Sequence, residues 1–250
     1  MLKGKTALVT GSTSGIGLGI AQRLAAQGAD VILNGFGDAE APKASVVEAG
    51  RAHGVRVGFH GADMSQPSAI EDLFAYAQQA FGGVDILVNN AGIQFVAPVE
   101  EFPVEKWDAV LAINLSSAFH TTRLALPGMR ARNWGRIINL ASAHGLVASA
   151  GKSAYVAAKH GLVGLTKAVA LETATTGVTV NAICPGGVRT PAFDQFLANQ
   201  SPEQLDVLSQ ILPLGRIGEP EEYAALVTHL ASDECYLVGS IINASGGTYI

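Results

Sequence analysis

Short runs in which every position is apolar alternate along this chain with longer stretches in which apolar residues return every three or four positions. The first pattern reads as a strand buried on both faces and the second as an amphipathic helix. Residues 6–10 form the first run, and Ile16, Ile20 and Leu24 with Ala21 and Ala25 form the first helical stripe, closing at the C-cap glycine Gly28. Val31, Ile32 and Leu33 supply a second strand and complete a βαβ unit. The alternation predicts a helix over 41–53, a strand over 55–60, a helix over 68–81 and a strand over 84–89. It goes on to a long helix over 103–129, a strand over 136–141, a helix from Tyr155 to about residue 175 and a strand over 178–183. From 192 to about 210 the chain is polar and helical, with Phe193, Phe196 and Leu197 as one stripe; a helix ending at Ser232 and a last strand within 239–247 follow. Strands taken in turn with helices predict an α/β fold, one doubly wound parallel sheet of about seven strands with helices on both faces. A chain of 250 residues suits a single α/β domain.

Composition narrows the class of function. Charged residues make up only 15% of the chain against 48% hydrophobic ones, below the usual charged share of about 25%, which predicts that much surface is buried between subunits. A net charge of −5 without a basic run excludes a nucleic-acid-binding role. Apolar runs are all interrupted well short of the roughly 20 residues a membrane span needs. Cys184 and Cys235 are too few for a disulfide scaffold, and residues 1–5 lead straight into a strand, so a reducing, cytoplasmic location and no metal site are expected.

Two local patterns carry chemistry. Tyr155 and Lys159, four residues apart in a helical stretch, lie on one face at about 5–6 Å between Cβ atoms. A neighbouring cation lowers a phenol's pKa from its ordinary value of about 10, which predicts a general acid or base. Ser142 ends the strand before them, where its hydroxyl reaches the oxygen that gains or loses the proton. Such a pair on a surface helix also arises by chance. The second pattern is Gly11-Ser12-Thr13-Ser14-Gly15-Ile16-Gly17, set after a strand and before a helix. Glycines there let the backbone approach a pyrophosphate, and the helix N-terminus offers free N–H groups. Neither residues 11–17 nor 34–38 contain Arg or Lys, so a 2′-phosphate would meet Phe36 and Asp38 rather than a cation. That favours NAD over NADP.

With Ser142, the Tyr-x-x-x-Lys spacing and the loop at Gly11, Thr13, Ser14, Gly15, Ile16 and Gly17, the chain resembles the short-chain dehydrogenase/reductase family along nearly its whole length. The resemblance implies a Rossmann fold, hydride exchange with NAD, and a tetrad of Asn114, Ser142, Tyr155 and Lys159, in which Asn114 holds a water against the lysine. It implies that Asp63, beside Met64, pairs with the adenine amino group and that Asn90, Ala91 and Gly92 line the cofactor. It also implies that Pro185, Gly186, Val188 and Thr190 cover the nicotinamide, that a lid spans about 187–212, and that the last strand helps build a homotetramer. From the residues alone, Asp63 reads equally well as a helix cap, Asn90-Ala91-Gly92 as a turn, Asn114 as a structural polar bridge and the stripe after 192 as a surface helix.

Residues 34–38, 92–94, 96–103 and 142–149 are similar to the family members that oxidise (R)-3-hydroxybutyrate to acetoacetate, a likeness read over residues 1–185. It implies that Gln94, His144 and Lys152 hold the substrate carboxylate around Ser142 and Tyr155, with Gln195 near the place of a further glutamine. Beyond 185 the chain looks more like general reductases of the 3-oxoacyl type. Gly187 stands where those hydroxy-acid members carry Trp, which implies a roomier pocket beyond the fourth carbon. The expected function is NAD-dependent oxidation of a small 3-hydroxy acid with Tyr155 as base. Reduction of another carbonyl or a 3-oxoacyl thioester is the alternative; a protein that only senses NAD is a third, but has no use for the tetrad.

Overall fold

Residues 2–199, 201 and 212–249 are described by a computed structural model. The all-apolar runs become strands because helices cover both faces of the sheet they form. In β1 (Thr6–Val9), Ala7 and Val9 face one side and Leu8 the other, following the two-residue period of a strand. Ala7 and Val9 pack with Ile20 and Leu24 of α1 (Gly15–Ala26) and with Val227 and Leu230 of the helix at Pro220–Ala231. Leu8 packs with Ile70 and Leu73 of a helix at Pro67–Phe81 and with Met129.

In chain order the elements after α1 are β2 (Asp30–Asn34), α2 (Glu40–Ala49), β3 (Val57–His60), α3 (Pro67–Phe81) and β4 (Ile86–Asn89), then α4 (Val104–Leu111), α5 (Ser117–Ala131) and β5 (Gly135–Leu140). They close with α6 (Ser153–Thr173), β6 (Val178–Pro185), α7 (Pro191–Ala198), α8 (Pro220–Ala231) and β7 (Ile241–Ala244). The seven strands are parallel, in the order β3-β2-β1-β4-β5-β6-β7. The chain reverses direction across the sheet between β1 and β4, and a crevice opens there beyond the carboxyl ends of the strands. Gly11 follows β1, Asn90 follows β4, Ser142 lies just past β5 and Gly186 follows β6, so the motifs collect at one edge.

Three expectations change in detail. The helix read over 41–53 ends at Ala49, and a single tight turn, Arg51–His53, follows. The long helix over 103–129 is α4 and α5 joined by one wide turn at Ala112–Ser116, a widening that marks functional sites in helices. Asn114 occupies it, 2% exposed. Of the helix read from 192 to 210, α7 accounts for the first part; residues 202–211 and the side chain of Phe196 lie outside the described residues. Among the described residues no helix is long and apolar enough to cross a membrane.

Beneath the crevice runs a buried polar chain that the hydrophobic pattern did not indicate. Thr121 Oγ1 donates to Asn89 Oδ1 at 2.7 Å, Asn89 Nδ2 to Asn139 Oδ1 at 2.8 Å, and Asn139 Nδ2 to Thr166 Oγ1 at 2.9 Å. It ties α5, β4, β5 and α6 together directly under the tetrad. Fully satisfied buried networks of this kind hold one arrangement of their elements.

Candidate active site

The glycine loop is shaped by what a side chain would strike. A Cβ on Gly17 would lie 2.4 Å from the Gly11 carbonyl oxygen and 2.5 Å from Asn90 Nδ2, and one on Gly11 would lie 2.9 Å from Ala91 Cα. Asn90 Nδ2 donates to the carbonyls of Thr10 and Gly11, both at 2.9 Å, while Thr10 Oγ1 accepts from the N–H groups of Asn90 and Ala91, both at 3.0 Å. Asn90 thus braces the loop with its side chain. Asn34 stitches the other side, accepting from Gly11 N at 3.3 Å and donating to the carbonyls of His60 and Ala62 at 3.0 Å. Ser14 caps α1 without a side-chain bond and no acid stands in its first turn, so the first-turn N–H groups are left for an anion. The cradle fits the pyrophosphate of a dinucleotide.

At the adenosine end, Phe36 is 68% exposed. Thr13 crowds Gly35, where a Cβ would lie 2.7 Å from its Oγ1. Asp38 Oδ1 accepts from Glu40 N at 2.9 Å and so starts α2. One oxygen of Asp63 accepts from Ser65 N at 2.8 Å, closing a turn ahead of α3, and the other remains available for a base. Met64 is buried in the core at 5% exposure, which leaves only its backbone to a ligand. Ile16 packs partly against the other core cluster.

The four tetrad residues converge. Lys159, on α6 and 3% exposed, donates from Nζ to the Leu140 carbonyl at 2.8 Å and lies 5.6 Å from the centre of the Tyr155 ring. Asn114 Nδ2 donates to the carbonyls of Ile93 and Val110, both at 2.9 Å. Its Oδ1 is buried with no partner among the described residues. A Cβ on Gly92 would lie 2.6 Å from that oxygen and 3.7 Å from Lys159 Nζ, so amide and ammonium reach the same spot, and only a glycine leaves it open. Ser142, 8% exposed, accepts from His144 N at 3.1 Å.

The phenol's direction corrects the reading from spacing. Burial pushes Tyr155 above its ordinary value, opposed by the hydrogen bond with Ser142. Lys159 is bonded to a backbone carbonyl, and desolvation of a phenolate outweighs its influence. Burial also pushes Lys159 down to about 8, opposed by Cys184.

On the rim, His144 Nε2 is 2.8 Å from Ser149 Oγ and its Nδ1 is 3.5 Å from Ser142 Oγ. Its pKa is lowered by burial and then by Lys152. Lys152 caps the N-terminus of α6, and burial lowers its pKa too. Gln94 is exposed on a segment joined to the Lys152 loop by the bond from Ala97 N to the Gly151 carbonyl at 2.9 Å. Gln195 is exposed on α7, its carbonyl accepting from Asn199 Nδ2 at 2.8 Å; among the described residues no contact ties it to the rim.

Val188, where the stretch expected to form a lid begins, and Gly218, beyond its end, are tied together. Val188 bridges Gly218, with Gly218 N donating to Gly187 O and Arg189 N to Gly218 O, both at 2.9 Å. Thr190 Oγ1 accepts from Phe193 N at 3.2 Å at the start of α7, and its Cγ2 lies 3.2 Å from where a Gly15 Cβ would be, which sets it beside the glycine loop. Pro185 ends β6 and Gly186 N donates to Ala244 O at 3.3 Å. At Gly187 a Cβ would lie 3.2 Å from Ile217 Cγ2 and 3.7 Å from Phe193, and the glycine lines a cavity of about 200 Å³ together with Leu212, Leu214, Tyr223 and Ala244. Sequence reading missed Thr10, Asn34, Asn89 and Asn139. Their signal was an amide or hydroxyl at the carboxyl end of an otherwise apolar strand, the same anomaly that singled out Asn114. The Leu140 carbonyl that holds Lys159 has no such signal.

Comparison with known proteins agrees with this geometry. Residues 5–201 match the family model described as short chain dehydrogenase. D-beta-hydroxybutyrate dehydrogenase of Cupriavidus necator is 60% identical, covering 99% of this chain and 98% of that protein, and its namesake in Rhizobium meliloti is 50% identical over 97% and 98%. The likeness therefore does not stop at residue 185, as the lid region had suggested. The crystal structure of levodione reductase superposes with a TM-score of 0.93 at 34% identity, covering 100% of this chain and 99% of that one. With residues 5–201 matching the family model and two relatives at least 50% identical over nearly the whole chain, the chain belongs to the short-chain dehydrogenase family.

Proposed function

We propose that this enzyme oxidises (R)-3-hydroxybutyrate to acetoacetate with NAD. The observation that carries the reading is the rim beside Tyr155. His144 and Lys152 are part-buried and held below their ordinary pKa values by that burial, and among the described residues no carboxylate pairs with Lys152. A substrate carboxylate would supply the missing charge. The 60% identity to a D-beta-hydroxybutyrate dehydrogenase supports the same substrate. Gln94 completes the donor set.

What NAD supplies when bound is an acceptor for the hydride leaving C3 of the substrate. The chain's own residues handle the proton. Tyr155 Oη takes it from the hydroxyl, and Ser142 Oγ holds the same oxygen. Below a pH of about 8, Lys159 stays cationic and, with the Ser142 hydrogen bond, offsets part of the burial that holds the phenol above its ordinary value. The Asn114 Oδ1, without a partner among the described residues, is available to a water that links Lys159 to solvent. The absence of a cation in residues 11–17 and 34–38, with Phe36 exposed there, supports NAD over NADP. Exposed Phe119, Leu171, Tyr236 and Val238 support a homotetramer. The free thiols Cys184 and Cys235 fit a cytoplasmic location.

Absorbance at 340 nm tests the reading, with (R)-3-hydroxybutyrate, uncharged secondary alcohols and 3-oxoacyl thioesters offered in turn. The acid should be the best substrate, with kcat/KM at least about tenfold higher with NAD than with NADP. Thioesters turned over as well as the acid would overturn it in favour of a general reductase.

A further inference from the structure

The chain beyond β7 reaches the rim by a route no motif indicated. Gly246 and Gly247, at φ of 62° and 86°, reverse its direction in a conformation that side-chain-bearing residues rarely adopt. The reversal sits on the segment returning from the lid: a Cβ on Gly247 would lie 3.2 Å from Pro213 Cβ, and one on Gly246 would lie 3.5 Å from Leu214 Cβ. Thr248 closes the turn, donating from N and Oγ1 to the Ser245 carbonyl at 3.2 and 2.9 Å. Tyr249 N donates to Ser245 Oγ at 3.3 Å, and the Tyr249 carbonyl accepts from Asn243 Nδ2. Held at both backbone groups, Tyr249 brings its ring to 6.2 Å from the His144 imidazole at a tilt of 57°. Tyr155 makes the imidazole's other ring contact, at 6.1 Å and 72°. Both separations lie within the roughly 4.5–7 Å range of favourable aromatic pairs. His144 therefore has its nitrogens beside two serines and its ring beside two phenols, one of them catalytic.

We propose that Tyr249 is a positioning residue for substrate binding, fixing the His144 ring so that it presents its donor to the carboxylate. The inference rests on the hydroxy-acid reading above. The C-terminal tail then acts within the protomer's own site. Steady-state kinetics of Tyr249→Ala and Tyr249→Phe with (R)-3-hydroxybutyrate and NAD test it. An aromatic contact of this kind is worth a factor of about three to ten, so Tyr249→Ala should raise KM for the acid by that factor. Its kcat should stay within about twofold and KM for NAD should not move, the pattern of lost ground-state binding. Tyr249→Phe should keep the wild-type KM, since the ring and not the hydroxyl makes the contact. Should the alanine variant fail to fold, Tyr249→Leu, which keeps bulk without a ring, is compared with Tyr249→Phe in the same way. An unchanged KM in the alanine or leucine variant, or a phenylalanine variant as weak as it, would overturn the inference while leaving the substrate assignment standing. A wild-type enzyme inactive on the acid would overturn both.

Discussion

Replacing Lys159 by methionine should expose what this site costs the fold. The lysine is 3% exposed, its ammonium bonded among the described residues only to the Leu140 carbonyl at 2.8 Å, and its pKa is pushed from an ordinary 10.5 to about 8, chiefly by burial. At about 1.4 kcal/mol per tenfold change, that gap corresponds to about 3 kcal/mol of destabilisation wherever the buried lysine is charged. Methionine fills similar volume without the charge, but leaves the Leu140 carbonyl without its donor, at about 1–3 kcal/mol. Near pH 7 the two effects partly cancel. Their pH dependence does not. Below pH 8 both folded and unfolded lysines are protonated, and the stability difference between variants is flat. Between about 8 and 10.5 the unfolded chain binds the extra proton, so wild-type stability rises with pH relative to Lys159→Met. Cys184, pushed upward by burial and lowered in turn by Lys159, is coupled to the lysine, so both proteins are compared in a Cys184→Ala background. Urea unfolding of both proteins at fixed protomer concentration from pH 7 to pH 10 should show the protein that keeps Lys159 gaining about 2–3 kcal/mol on the methionine variant. A difference that stays constant across that range would refute the burial argument, whatever its size at pH 7.

Tyr155→Phe should lower kcat by about 10²- to 10⁴-fold, the usual worth of a placed proton acceptor, with NADH affinity by fluorescence titration unchanged. Lys152→Ala should raise KM for (R)-3-hydroxybutyrate about ten- to a hundredfold, since a charged hydrogen bond contributes about 1.5–3 kcal/mol; KM for NAD should hold. Gly17→Ala places a Cβ 2.4 Å from the Gly11 carbonyl oxygen. Overpacking of that severity should weaken NADH binding about tenfold or more, with far-UV circular dichroism near wild type.

Much of the fold was legible because its physics is local. A parallel strand such as β1 must be apolar at every position when both faces are covered, and α1 must show a stripe because one face meets the core. The loop from Gly11 to Gly17 was legible for the same reason: backbone close to a phosphate needs residues without side chains, set between strand and helix. The pairing of Tyr155 with Lys159 followed from helical spacing alone. What the spacing could not supply was environment. Whether a phenol moves up or down depends on how much water surrounds it, and that is decided by α4, the wide turn at Asn114 and β5, all distant in sequence. Gly187 shows the same limit. A missing side chain reads as room, but which groups border that room, Ile217 and Phe193 among them, is set from elsewhere in the chain. Tyr249 carries no sequence signal because its place beside His144 depends on a turn seated against Pro213 and Leu214. Sequence by itself determined the elements and their order, and it singled out the groups proposed to react. The directions of the pKa shifts, the bracing of the cradle by Asn34 and Asn90 and the approach of the tail were decided only by tertiary structure, because burial and contact are properties of segments brought together.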